Sequence, residues 1–205
     1  MFANFLIGLR EGLEASLIVG ILIAYSLKTG RTKAVAGILW GTALAVVVSV
    51  LVGLGLSLFV DVVPEGTHEI IAGLASILAM VFVTWMIFWM KKTARFMKLE
   101  LEQKASAAIG AGALSLAAFT AVIREGLETS LFLYANFKGS DPLGSTIGLT
   151  AGIAVAIALG YGIYKGAIRF NLATFFKFSG VALMLVAANV FAYSLHELEE
   201  VGLFF

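Results

Sequence analysis

The chain has 205 residues, of which 60% are hydrophobic and 13% charged, with a mean hydropathy of +1.01 and a formal net charge of +1. A soluble domain carries about 25% charged residues and has no core able to absorb this much apolar surface, whereas a bilayer does. Cysteine is absent, which excludes disulfides, thiolate metal sites and cysteine nucleophiles, and no basic run interleaved with aromatics supports a nucleic-acid partner.

A helical span needs about 20 mostly apolar residues. The first runs over about 3–27. It lacks a basic n-region and is interrupted by Arg10, Glu11 and Glu14, so it reads as a retained span rather than a signal peptide. The second covers about 35–60 and the third about 69–90, where Trp85 and Trp89 fit an aromatic belt and Met80, Met86 and Met90 fit packing. The fourth, about 107–136, is long enough to tilt, kink or break; the fifth and sixth cover about 144–165 and 172–196. The runs are continuous, without the alternation of barrel strands. The expected fold is an all-α integral membrane protein with six transmembrane helices.

Basic residues in short loops set orientation. Lys28, Arg31 and Lys33 fall in the first loop; Lys91, Lys92, Arg95, Lys98 and Lys104 in the third; Lys165, Arg169 and Lys177 in or beside the fifth. The second and fourth loops hold Lys138 alone. Odd-numbered loops are therefore expected in the cytoplasm and both termini outside, in a cell membrane. Acidic residues lean the other way: Asp61, Glu65, Glu69, Asp141, Glu197, Glu199 and Glu200 fall on the outer side, either as ordinary loop chemistry or as a weak field that gathers cations.

The stretch Arg10-Glu-Gly-Leu-Glu-Ala-Ser-Leu17 recurs 114 residues later as Arg124-Glu-Gly-Leu-Glu-Thr-Ser-Leu131, identical at seven of eight positions. Gly37 and Gly41 likewise resemble Gly148 and Gly152, two Gly-x-x-x-Gly pairs that mark close helix contacts. The repeat unit is three spans: 1–92, then a cytoplasmic linker over 93–106, then 107–197. Three is odd, so the second unit enters from the opposite face. Inverted repeats of this kind build many transporters, with the substrate site near the midplane where the repeats meet.

Six ionisable residues lie inside apolar spans: Arg10, Glu11, Glu14, Arg124, Glu125 and Glu128. Each costs about 2.5–3.5 kcal/mol at a helix centre on insertion scales, so two copies of one charged motif need a reason. The glutamates of each motif are three residues apart, about 60° around the helix, and two antiparallel helices would converge four carboxylates. Gly12 and Gly126 leave room for a second backbone or for an ion to pass. Each arginine points about 100° away from its neighbouring glutamate, which favours pairing across the helix interface over pairing along its own helix. Four carboxylates and two guanidiniums sum to −2, a site for a hard cation with oxygen ligands. A trivalent ion brings the sum to +1 and a divalent ion to zero; an empty site sheds charge by taking up a proton, because burial disfavours the charged form. The alternative, a buried network that only locks two helices, is weakened by how little buried ion pairs add over apolar packing. His68 with Glu69, and His196 with Glu197, are candidates for an outer capture site.

Arg-Glu-Gly-Leu-Glu, present twice, resembles the oxidase-coupled high-affinity iron permease family, including the bacterial elemental-iron uptake permeases. The likeness extends to Phe5-Leu-Ile-Gly-Leu9, Thr84-Trp-Met-Ile-Phe-Trp-Met90, Arg169-Phe-Asn-Leu172 and His196-Glu197. It implies a ferric iron permease, with Fe3+ as transported substrate rather than bound cofactor and with no enzymatic activity of its own. In this family the Arg-Glu-x-x-Glu motifs bind and pass iron, which maps onto Glu11, Glu14, Glu125 and Glu128 as ligands and Arg10 and Arg124 as charge-balancing partners. It also implies an iron-oxidising or iron-delivering partner outside the cytoplasm: a multicopper oxidase in fungi, haem or cupredoxin-like proteins in bacteria. Self-association is left open. Family members usually carry a seventh span, whereas this sequence ends in Glu199-Glu-Val-Gly-Leu-Phe-Phe205; the repeat needs only six.

Other readings share these residues. A proton-coupled carrier of small organic anions would use the arginines to bind substrate. Another hard or heavy cation such as lead would use the glutamates. A di-iron enzyme would need Glu-x-x-His pairs, which the motifs lack. Alternating access and a gated pore would both use the constellation.

Overall fold

The structure, a computed structural model, describes residues 1–62, 110–137, 142–166 and 171–200, with scattered residues between 77 and 106. Among these it contains five α-helices and no strand: α1 (Phe2–Lys28), α2 (Thr32–Val62), α3 (Ala111–Phe137), α4 (Pro142–Tyr164) and α5 (Leu172–Glu200). Their limits lie within a few residues of the first, second, fourth, fifth and sixth expected spans. The α3 helix runs without a break. The third expected span, about 69–90, lies outside the described residues apart from scattered helical positions.

Two helices, α2 over Thr32–Leu56 and α4 over Leu143–Tyr164, are long and apolar enough to cross a membrane by composition alone. The α1 and α3 helices are 27 residues each, about 40 Å at 1.5 Å per residue, but each carries Arg, Glu and Glu in mid-length. Along α2, Leu39, Trp40, Leu44, Val47, Leu51, Leu54 and Leu58 are all exposed, a continuous apolar face that suits lipid and not water.

The α1 helix ends where Gly30 takes φ +72°. The Gly30 N–H donates to Leu27 O (3.2 Å) and the Arg31 N–H to Ser26 O (2.8 Å), closing the last carbonyls and turning the chain back into α2. Asn171 opens α5 by accepting the Thr174 N–H on its side-chain oxygen at 3.2 Å.

Packing is between distant parts of the chain. The α1 helix packs chiefly on α4, and α2 on α3. Small residues allow both approaches. A Cβ on Gly12 would lie 2.9 Å from Ala156 Cβ and 3.3 Å from Ile153 Cα, while Gly8 faces Leu149 and Gly20 faces Tyr164. Residue numbers rise together, so α1 and α4 run parallel. On the other pair, Gly41 meets Ser115, Gly126 meets Ser49 and Gly53 meets Ser130, so α2 and α3 are also parallel. The expected close contacts at Gly41, Gly148 and Gly152 are present, the latter two against the backbone of Met1 to Leu9.

The α1 and α3 helices oppose each other. Ile18 and Leu22 share a buried cluster with Ala34, Ile38, Leu114 and Ala118, while Ile7, Leu13 and Leu17 join Phe132, Ala156, Phe176 and Leu183. Rising numbers on α1 meet falling numbers on α3, so these two helices are antiparallel, with their charged motifs facing one another at mid-length.

Candidate metal centre

The first motif is sealed: Arg10 is 0% exposed, and Glu11 and Glu14 are 2% exposed. Positions 10 and 14 lie about 160° around α1 from Gly12, which packs on α4. Arg10 Nη1 lies 3.7 Å from Glu11 Oε1, and its Nε 3.5 Å from Glu14 Oε1. The second motif is partly open. Arg124 Nε donates to Glu128 Oε1 at 3.0 Å and lies 4.0 Å from Glu125 Oε1, with the Arg124 side chain 41% exposed and that of Glu128 23%. Glu125 is buried.

Three carboxylates meet. Glu11, Glu14 and Glu125 each offer an oxygen, and these oxygens all lie within 4.8 Å of one another. Metal–oxygen bonds to hard cations are about 2.0–2.6 Å, so oxygens about 4–5 Å apart can share one ion. Both oxygens of Glu11, Oε1 of Glu14 and Oε2 of Glu125 are buried without a hydrogen-bond partner, as are all three guanidinium nitrogens of Arg10. Unpartnered buried carboxylate oxygens cost free energy that a cation recovers.

One expectation is corrected. The arginines pair along their own helices. Arg10–Glu14 and Arg124–Glu128 have i,i+4 spacing, only about 40° around the helix, and the long arginine stem reaches back easily. Glu128 is not one of the carboxylates that converge within 4.8 Å, and its Oε1 accepts from Arg124 Nε at 3.0 Å. Counted as ionised, the three carboxylates and Arg10 sum to −2 and Arg124 with Glu128 to zero, with Arg124 also 4.0 Å from Glu125 Oε1. Gly12 and Gly126 admit a neighbouring helix. Of the outer candidates, His68 and Glu69 lie outside the described residues; His196 and Glu197 fall in the last turns of α5, but their side chains are not among those described.

Ser16 and Ser130, the seventh residue of each motif copy, were not singled out from the sequence. Ser16 Oγ donates to Ala156 O on α4 at 3.4 Å, and Ser130 Oγ to Ser49 O on α2 at 3.3 Å. Each also bonds within its own helix, to Leu13 O and Gly126 O. Their identity in both copies was the available signal.

Apolar helices closed around charged groups define a helical membrane protein of the permease class. The chain matches the iron permease FTR1 family over residues 1–204, and it belongs to that family. It is 38% identical over 212 residues to the protein named ferrous iron permease EfeU from Escherichia coli O6:K15:H31, covering 99% of this chain and 75% of that one. It is 35% identical to the protein of the same name from Yersinia pestis, covering 99% and 74%. A third relative, at 37%, is named a putative inactive ferrous iron permease EfeU, from Escherichia coli strain K12. No solved structure matches the chain.

Proposed function

We propose that the chain takes up iron through the membrane, with Glu11, Glu14 and Glu125 as the ion's first ligands and Glu128 joining when it leaves Arg124. The observation that carries this reading is the set of buried carboxylate oxygens within 4.8 Å of one another, held by two antiparallel helices. Arg10 and Arg124 balance charge and hold the glutamates in place.

We also propose six spans in two inverted repeats, N-terminus outside. The pairing of helices supports this: exchanging α1 with α3 and α2 with α4 turns the α1–α4 pair into the α3–α2 pair, as a two-fold axis in the membrane plane requires. Because α2 and α3 run parallel, a chain leaving α2 at one face and entering α3 at the other crosses the membrane between them. An iron-oxidising or iron-delivering partner outside the cytoplasm completes the proposal.

Hardness of the all-carboxylate set favours ferric iron. One observation favours ferrous iron: with Arg10 sealed against the cluster, the formal charge of −2 on the ionised set is neutralised by a divalent ion, and the relatives are named ferrous iron permeases. The test is equilibrium binding of Fe(III), Fe(II), Mn(II) and Pb(II) to the purified protein in detergent, compared with Glu14→Ala/Glu128→Ala. Iron binding that the double variant loses is the expected result, and the preferred valence is read directly. Absence of binding to either protein would leave a structural lock or an anion site in its place.

A further inference from the structure

Away from the carboxylates, four buried side chains among the described residues carry oxygens without a hydrogen-bond partner: Asn4 Oδ1, Ser26 Oγ, Ser145 Oγ and Ser179 Oγ. Two of them fall at one end of the bundle. Asn4 is 2% exposed and Ser145 1%. Ser145 sits one turn before Gly148, which packs against Met1 and Phe5, the neighbours of Asn4. Asn4 is two turns from Glu11 and about 20° from it around α1, so the two share a face some 10 Å apart along the helix. From this end inward the oxygens run from Asn4 and Ser145 to the three-carboxylate cluster.

The repeat shows what this layer replaces. The offset of 114 residues that maps one motif onto the other maps Asn4 onto Ala118 and Ile18 onto Phe132. The offset of 111 that relates Gly37 and Gly41 to Gly148 and Gly152 maps Ala34 onto Ser145 and Ile38 onto Leu149. Ile18, Ala34, Ile38 and Ala118 belong, with Leu22 and Leu114, to the packed apolar cluster on the far side of the carboxylates. Ile18 and Ile38 are matched by large apolar residues in the related layer, and Leu22 by Asn136. The two alanines become Asn4 and Ser145. Alanine packs well at both positions in one layer, so packing alone does not call for the polar pair in the other.

We infer that Asn4 Oδ1 and Ser145 Oγ form an entry subsite for a hard cation on its way to the carboxylates, and that the alanine layer is the seal on the opposite side. Amide and hydroxyl oxygens ligate hard cations and replace hydration water. Being neutral, they hold the ion more weakly than the carboxylates do, which lets it move on; a pathway needs binding strong enough to enter and weak enough to leave. The subsite rests on the permease reading above and places entry on the side where α1 begins, the outer side in that reading.

The test compares initial rates of iron uptake in cells expressing the full chain as wild type, Asn4→Leu/Ser145→Ala, Asn4→Leu, Asn4→Asp and Glu14→Ala, with each protein quantified in the membrane. In the double variant the half-saturating iron concentration should rise about tenfold, the order expected for losing one good oxygen contact. Its maximal rate should change little, and equilibrium iron binding to the purified protein should stay as in wild type. Asn4→Asp, which keeps an oxygen in place, should retain uptake at low iron. Unchanged half-saturation in the double variant overturns the subsite, as does equal impairment by Asn4→Leu and Asn4→Asp, which would assign Asn4 to packing. If the double variant does not reach the membrane, Ser145→Ala alone should raise half-saturation about threefold, and no rise overturns the proposal. Normal uptake by Glu14→Ala would instead sink the permease reading itself.

Discussion

The two copies of the motif have the same charged residues at the same spacing, yet they sit in different surroundings. Arg10, Glu11 and Glu14 are sealed, whereas Arg124 and Glu128 are 41% and 23% exposed at their side chains. The salt bridges differ accordingly: the sealed arginine stands 3.5–3.7 Å from its partners, and the open one makes a 3.0 Å hydrogen bond. Identical local sequence gives each copy the same i,i+4 pair. What the neighbouring helices bury decides which copy supplies two carboxylates to the cluster and which supplies one.

The largest effect should separate the two copies by binding. Glu14→Ala removes one of three converging ligands and should abolish iron binding by the purified protein. Glu128→Ala should weaken binding by about 10–100-fold without abolishing it, the range seen when a supporting residue rather than a ligand is lost. Equal loss in both variants would mean that the fourth glutamate belongs to the resting site.

Next come the arginines, read as stability in detergent. Arg10→Ala leaves three buried carboxylates without a counter-ion and should cost about 3–5 kcal/mol. Arg124→Ala breaks a half-exposed pair and should cost less than Arg10→Ala. Added iron should restore part of the loss in Arg10→Ala, because a cation substitutes for the missing charge. Similar losses at both positions would remove the distinction between a sealed and an open copy.

The motif glycines sharpen the helix pairing. A Cβ on Gly12 would approach Ala156 Cβ to 2.9 Å, and one on Gly126 would press on Ser49. Gly12→Ala and Gly126→Ala should each cost about 1–3 kcal/mol as overpacking. Ala156→Gly should rescue the first and Ser49→Gly the second, as thermal unfolding would report; crossed rescue would contradict the pairing. The smallest effect is expected at the serines. Ser16→Ala and Ser130→Ala each lose one interhelical hydrogen bond, about 0.6 kcal/mol in a membrane protein, and by nearly equal amounts.

Much of this was legible in the sequence. Continuous apolar runs placed five helices to within a few residues, because a bilayer-length helix leaves few alternatives. The repeated Arg-Glu-Gly-Leu-Glu picked out every charged residue of the site, since intramembrane charge is too costly to be incidental. Two things were not legible. Helical angles gave the direction of each Cβ but not the reach of an arginine, so Arg10 and Arg124 were expected to cross to the other helix and instead form ion pairs one turn ahead on their own. And a two-copy motif reads as symmetric, whereas burial is set by residues elsewhere. Nothing in the motif tells Glu14 from Glu128, and only packing shows that the latter is held apart. The role of Ser130 needed Ser49, 81 residues away, to be brought alongside.

The exchange of helices between the halves of the chain bears on how the protein is made. The α1 helix packs chiefly on α4, and residues 29–141 are synthesised between them. At roughly 5–20 residues per second, that interval is on the order of ten seconds. Throughout it a helix bearing Arg10, Glu11 and Glu14 must wait in the lipid, or at the translocon, without its main partner. A nascent chain halted before Pro142 would strand that charged helix, an obvious mark for membrane quality control. Neither half is thus a unit that biosynthesis could finish and release ahead of the other.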